Sequence, residues 1–366
     1  MKHAVVVLPA AKTSNELDLI RAMPGWEAEV IAAQGMGPAD AQHQLEAVRF
    51  PGYLGRAERW SAALAWHRGL SSVSLPAVDV VLSMELHSPV SAQAARLARS
   101  LDVPHVIEIA ETLASSPLYR LPPWGLHARA RSRSAQRFVC LTERARVHAV
   151  TLGCDPSRCD VVHGGIDTDH YRPRAGGLVG DPIALFVGEL RPDKGILDVI
   201  AAADRARTAI PDFRLLVAGR GPLEEQVVAL AADREHVDHL GPVDRERVAE
   251  VMQGARMLVV APYRRRFWEE QFGYVYVEAM ACGLPVVSTR CGAIPEVVPP
   301  GNALVEQGDV PALAAAMVRF AGPDAEPTGH ANRTLALERY DLGVQGRRLG
   351  SIISTLVDAW PRSSPR

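Results

Sequence analysis

The sequence predicts an α/β protein of two domains, each a parallel sheet wound with helices, and three observations carry that expectation. Short β-branched runs alternate with alanine- and arginine-rich stretches that read as helices, the rhythm of βαβ units. The 366 residues, 48% hydrophobic and only 5% aromatic, exceed one ordinary domain and suit two separate cores. Between the two sets of strands, Arg172-Pro173-Arg174-Ala175-Gly176-Gly177-Leu178-Val179-Gly180-Asp181-Pro182 collects helix breakers without periodicity and reads as a linker. The expected strands of the first domain fall at residues 4–8, 28–32, 78–82, 105–109 and 138–141. Those of the second fall at 184–188, 214–219, 257–261 and 285–288. The division that follows is an N-terminal domain over 1–174, a linker over 175–182, a C-terminal domain over 183–341 and a terminal amphipathic segment over 342–366.

Composition excludes several classes of function. A formal net charge of −2 supplies no global field to recruit nucleic acid. The five cysteines, Cys140, Cys154, Cys159, Cys282 and Cys291, are odd in number and contain no CxxC pair, which argues against a disulfide framework and a zinc site. A reducing cytoplasm is the expected compartment. The apolar run after Met1-Lys2-His3 is too short for a signal peptide. No stretch approaches the roughly 20 apolar residues of a spanning helix. A soluble protein, or one peripheral on the inner face of a membrane, is expected.

The segment Glu270-Gln271-Phe272-Gly273-Tyr274-Val275-Tyr276-Val277-Glu278, running into Ala279-Met280-Ala281-Cys282-Gly283 and an apolar strand, is the most informative part of the chain. A helix beginning near Gly273 offers free N–H groups and its positive dipole end to an anion. Two carboxylates bracket that start. Glu270 can accept from sugar hydroxyls ahead of the helix and Glu278 from a ribose diol behind it, since an ionised carboxylate has two acceptor oxygens. A nucleotide diphosphate attached to a sugar fits this arrangement.

Further segments follow in order: Gly164-Gly165-Ile166-Asp167, then Phe186-Val187-Gly188-Glu189-Leu190-Arg191-Pro192-Asp193-Lys194-Gly195, then Val217-Ala218-Gly219-Arg220-Gly221-Pro222-Leu223, His239-Leu240-Gly241-Pro242-Val243 and Gly292-Ala293-Ile294-Pro295-Glu296-Val297-Val298. Together with the Glu270–Gly283 block they resemble glycosyltransferase family 4. The likeness covers the whole second domain and is diffuse over the first. It implies a GT-B fold, two Rossmann-like domains facing each other across a cleft, with the terminal segment crossing back to the first. It also implies transfer of a sugar from a UDP- or GDP-linked donor to an acceptor hydroxyl, with retained anomeric configuration and no cofactor or bound metal.

The resemblance assigns roles residue by residue. Lys194 places an ammonium on the diphosphate, and Arg191 supplies a second charge, because Glu189 stands where the family usually has arginine. Glu270 contacts the sugar. Gly188, Val243, Phe272, Gly273, Tyr274, Val275 and Glu278 complete the donor-binding set. In the first domain, Ala110 and Glu111 occupy the place of a histidine that commonly faces the sugar. Glu111 either takes over a polar contact or is a helix-start charge. His87, at the end of the preceding strand, points toward the expected site, since ligands collect at the carboxyl ends of parallel strands. Pro9-Ala10-Ala11-Lys12-Thr13-Ser14 replaces the family's glycine-rich loop. Asp167-Thr168-Asp169 has the Asp-x-Asp form of a metal site in a different glycosyltransferase architecture, but matches the structural aspartate of the family's Gly-x-Asp.

Two basic stretches bear on the acceptor. Residues 56–68 interleave Arg59, Trp60, Trp66 and His67, while Arg129, Arg131, Arg133 and Arg137 follow Pro122-Pro123-Trp124. Such faces either rest on an anionic bilayer beside a lipid-linked acceptor or are solvated helices. Arg264-Arg265-Arg266 either binds an anionic acceptor or coats the rim of the site. Glycan, lipid-linked and small-molecule acceptors all stay open. So do two rival functions, a nucleotide-sugar epimerase of the same architecture and a non-catalytic nucleotide-sugar-binding subunit.

Overall fold

The computed structural model describes residues 1–9, 14–34, 38–48, 65–113, 124–177 and 181–361. They form two compact units, one of residues 1–165 with 342–366 and the other of residues 166–341. The first is built on a seven-stranded parallel sheet in the order His43–Leu45, Trp26–Ala33, Lys2–Val7, Val80–Met84, His105–Ile109, Arg137–Cys140, Cys159–Val161. Every residue of Val80–Met84 and His105–Ile109 is buried, as expected of central strands covered on both faces. Chain order reverses between Lys2–Val7 and Val80–Met84, and it is at such a reversal, by the carboxyl ends of the strands, that ligands collect in parallel sheets.

The helix Leu342–Asp358 belongs to this first unit. Leu349, Ile353 and Val357 repeat every four residues, so they share one helix face, and that face joins the core containing Leu17 and Ile20 of the helix Ser14–Arg21. Trp26 Nε1 donates to Ser354 at 3.1 Å and Trp360 Nε1 to the Asp102 carbonyl at 3.0 Å, which fixes the helix along its length.

The second unit carries a six-stranded parallel sheet ordered Val237–Gly241, Arg214–Ala218, Ile183–Val187, Met257–Val260, Val286–Thr289, Ala303–Val305. Its order reverses between Ile183–Val187 and Met257–Val260. Phe186, Val217, Leu258 and Val287 form the middle of the core, closed by the helices Ile196–Ala209, Tyr274–Ala281 and Val310–Ala321.

Two expectations are corrected. The seam between units lies at Gly165–Ile166, not at 175–182. Residues 166–171 are stapled to the second unit: Ile166 N donates to the Tyr340 carbonyl at 2.9 Å, Thr168 to Asp341 at 2.7 Å, and Arg333 to the Thr168 and Tyr171 carbonyls. Breaker composition marked an irregular stretch, but hydrogen bonding sets the boundary. The sheets also have more strands than expected. His43–Leu45, Cys159–Val161, Val237–Gly241 and Ala303–Val305 are short edge strands of mostly half-buried residues, which lack the apolar run that marks a central strand.

Candidate functional site

In the second unit the loops after Ile183–Val187 and Met257–Val260 leave the sheet at the reversal point, and they carry the two groups that meet there. Lys194 ends a short 3-10 turn, Pro192–Lys194, and Glu270 precedes the helix Tyr274–Ala281. Lys194 Nζ donates to Glu270 Oε2 at 2.7 Å, with both side chains largely shielded from solvent. Gly195 allows the turn at Lys194. Its φ is +70°, and a Cβ there would stand 1.9 Å from the Ala261 carbonyl oxygen, so the loop can lie against the neighbouring strand end only as glycine.

Gly273 has the same role before the second helix. At φ +77° it caps Tyr274–Ala281, and a Cβ would fall 2.4 Å from the Tyr276 ring. Tyr276 is fully buried, its hydroxyl 3.2 Å from Ser288, and the main chain of Glu270 is fixed by Ala293 N donating to its carbonyl at 2.8 Å. Burial, and then the charge of Glu270, push the Tyr276 phenol well above its ordinary pKa. The result is a helix N-terminus without a side-chain cap, beside a carboxylate whose main chain is fixed and a lysine.

Arg191 is brought to the same place but is already engaged. Its guanidinium forks onto Asp193, with Nε at 2.7 Å from Oδ1, and reaches Glu189 at 3.1 Å. Burial opposes both charges, yet the pairing outweighs it, raising the Arg191 pKa and lowering that of Asp193. The expected second free cation is therefore a cation matched to two acids. Trp268 lies beside both basic groups, its ring centroid 4.8 Å from Lys194 Nζ and 5.4 Å from Arg191 Cζ.

Glu278 sits about one turn into the helix. Tyr171, itself buried, lies within hydrogen-bond reach of the Glu278 carboxylate and of Arg245, so the phenol can accept from the guanidinium and donate to the acid. Burial pushes the Glu278 carboxyl up to about 7, and Tyr171, Arg245 and His170 pull it back only in part. Phe272, in the expected donor-binding set, stands directly ahead of the helix start. It is packed in the core against Tyr274 and Tyr340, at ring separations of 5.0 and 5.9 Å, so only its backbone is available. Tyr274, Val275 and Val243 are half-buried against the same core. Gly188 and Gly219 are in close approach at the strand ends: Gly188 N donates to the Ala218 carbonyl, and a Cβ on Gly219 would be 1.9 Å from Gly188 O.

In the first unit, His87 and Glu111 are near the reversal point of that sheet, with a residue the sequence did not single out between them. Glu85, at φ +66°, accepts from the backbone N–H groups of Ala110 at 3.0 Å and Glu111 at 3.2 Å, while its other oxygen is 3.9 Å from His87 Nδ1. Glu111 turns its own carboxylate back to the N–H groups of Thr112 and Leu113, both at 2.8 Å, and residues 111–113 are not helical. Asp167 likewise accepts from Asp169 and His170 N–H, closing a turn.

The basic stretches change character. Residues 56–64 and 122–123 lie outside the described ones, while Trp66–His67 is a short strand paired with Ala47–Val48 and not a helix face. Arg131 is buried, its Nε on the Leu86 carbonyl, and burial, reinforced by Arg96, lowers its pKa to about 10. Arg137 pairs with Asp160. Among the described residues no helix is long and apolar enough to cross a membrane, and no three His, Cys, Asp or Glu are grouped to hold a metal ion.

Comparison with known proteins gives these features a context. The glycosyltransferase family 4 model matches residues 17–170, and the model of glycosyl transferases group 1 matches residues 181–322. A D-inositol 3-phosphate glycosyltransferase of Mycobacterium sp. (strain KMS) is 38% identical over 196 residues, which cover 48% of this chain and 42% of that protein. The same-named protein of Mycolicibacterium smegmatis is 34% identical over 195 residues, 48% of this chain and 43% of its own. Each match therefore spans less than half of the relative. Among solved structures, sucrose-phosphate synthase from Thermosynechococcus elongatus superposes with a TM-score of 0.74 at 18% identity, covering 98% of this chain and all of that one. Anabaena HepE in complex with UDP and glucose gives 0.71 at 18% identity over 96% and 100%. These likenesses establish a shared GT-B fold.

Proposed function

We propose that this chain, which belongs to glycosyltransferase family 4, transfers a sugar from a nucleoside diphosphate to an acceptor hydroxyl, with the donor held by residues 166–341. The observation that carries this reading is the Lys194–Glu270 pair at the reversal point of the sheet, directly ahead of the helix that Gly273 opens. Donor binding exchanges that pair. Lys194 turns to the diphosphate beside the helix N–H groups, and Glu270, released, accepts from sugar hydroxyls. Glu278 accepts from the ribose diol. The bond between the anomeric carbon and the phosphate oxygen breaks with its electron pair left on the phosphate. The acceptor oxygen bonds to that carbon from the same face and passes its proton to the departing phosphate oxygen. Lys194 and the helix terminus put positive charge where negative charge develops, which is the requirement for stabilising the leaving group.

The UDP-bound neighbour favours a uridine donor, and the named relatives make polyol phosphates the first acceptors to assay. A reducing compartment fits the five free thiols. Calorimetry of the protein with UDP, GDP and ADP, followed by NMR analysis of UDP-glucose turnover with candidate acceptors, tests the reading. Nucleotide release that depends on acceptor supports transfer. Release without acceptor, accompanied by an epimerised sugar, supports an epimerase instead. Because Glu189 and Asp193 neutralise Arg191, a donor-binding protein without turnover is the second reading, and tight UDP binding with no product from any acceptor would favour it.

A further inference from the structure

Trp268 takes no part in the apolar core that includes Phe272, Tyr274 and Tyr276, although it is only four residues from Phe272. Its ring neighbours are instead the two cations of the donor site, Lys194 Nζ at 4.8 Å and Arg191 Cζ at 5.4 Å from the centroid. The backbone holds the ring in place. Arg265 N donates to the Trp268 carbonyl at 2.7 Å, closing a tight turn, and the next two residues are fixed by Arg264 on buried Glu269, at 3.2 Å, and by Lys194 on Glu270. A half-buried indole on a hydrogen-bonded turn, outside the core and with two cations beside its ring, is placed for electrostatics.

We propose that Trp268 is a positioning residue for Lys194 and Arg191, holding both where the diphosphate of the donor draws on them, and that its emission reports diphosphate binding. The inference rests on the donor-site reading above. Lys194 donates one of its three N–H groups to Glu270, and a hydrogen bond ties the ammonium to the direction of that acceptor. Attraction to a π face is not directional in that sense, so the ammonium can leave Glu270 for a phosphate oxygen while staying in the field of the ring. Arg191 gains the same second support while it is shared between Glu189 and Asp193.

The test uses the full-length protein with UDP as the probe and uridine as its phosphate-free control. UDP should change the intrinsic tryptophan fluorescence of the wild type, and Trp268→Phe should remove that change. Affinity for UDP should fall roughly five- to thirtyfold in Trp268→Leu and by less in Trp268→Phe, following the strength of the π face, while uridine binding stays constant. Thermal unfolding of each variant identifies a folding defect, and the phenylalanine variant keeps the test decisive if the leucine variant is unstable. Equal UDP affinity in all three proteins, or a UDP-induced fluorescence change that persists in Trp268→Phe, overturns the proposal. Failure of the wild type to bind any nucleoside diphosphate is a different result, which overturns the donor-site reading and this inference with it.

Discussion

Glu278 should make nucleotide binding pH-dependent in the neutral range. Burial raises its carboxyl to about 7, against an ordinary value of 4.5, while Tyr171, Arg245 and His170 oppose the rise; Cys282 also lies within its field. The folded-state value is the higher one, so between these limits the folded protein holds a proton that the unfolded chain does not. The stability from Glu278 is thus fully present below 4.5 and is lost as pH rises through about 7. Ribose hydroxyls donating to the carboxylate favour its ionised form, so binding expels the proton, and affinity should rise with pH until Glu278 is ionised before the ligand arrives. With a bound-state value well under 6, UDP affinity should fall about tenfold from pH 8 to pH 6. The terminal phosphate of UDP titrates near the same range, with a pKa of about 6, so the measurement is the difference between wild type and Glu278→Gln by calorimetry across pH. Tyr171→Phe removes a donor to the carboxylate, so its profile should move toward higher pH. Parallel profiles for wild type and Glu278→Gln would refute the ribose role and the titration together.

The remaining expectations are direct. Lys194→Ala should lower kcat about a hundred- to a thousandfold, the loss typical of removing one donor that stabilises developing negative charge; quenched-flow or steady-state product analysis reads it, and unchanged kcat rejects the leaving-group role. Turnover should survive EDTA, and an α-linked donor should give an α-linked product by NMR; loss of activity restored by Mg²⁺ or Mn²⁺, or a β-linked product, contradicts the mechanism. Gly273→Ala places a Cβ 2.4 Å from the Tyr276 ring at φ +77°, so a lower Tm and loss of UDP binding are expected, the left-handed backbone alone costing about 1–2 kcal/mol. An alanine variant as stable as wild type would show that the helix start can shift.

What the sequence made legible here was local, and what it missed depends on contacts between distant segments. Gly273, the helix after it and the flanking glutamates are contiguous, so their arrangement follows from helix geometry. The central strands 105–109 and 257–260 are apolar runs and were placed to within a residue. Glu270 is singled out by its place ahead of the helix start and Lys194 by resemblance, but their 2.7 Å contact joins positions 76 apart and has no sequence signal. Tyr171 and Glu278 are farther apart still in the chain. Asp193 had a signal that was overlooked, an acid between two bases on a tight turn, which is enough to predict that Arg191 would be matched locally. Phe272 shows the limit of adjacency: its side chain fills the core, which position next to the helix start does not reveal.

The pairing of Lys194 also changes what Glu270 is expected to do. Around the helix start Arg191, Lys194 and Arg264 are each paired with acids, Glu189, Asp193, Glu269 and Glu270, so an incoming diphosphate meets cations that are already engaged. A free nucleoside diphosphate that draws Lys194 away from Glu270 leaves that buried carboxylate without its partner, which is costly. An intact nucleotide-sugar supplies sugar hydroxyls to the released carboxylate and avoids the loss. Glu270→Gln should therefore act on the two ligands in opposite directions. UDP should bind the variant more tightly than it binds wild type, because Lys194 is no longer contested, whereas UDP-glucose should lose its advantage over UDP. Calorimetry of both ligands on both proteins measures this directly. Equal weakening of UDP and UDP-glucose would show that Glu270 supports the loop rather than exchanging Lys194 for sugar.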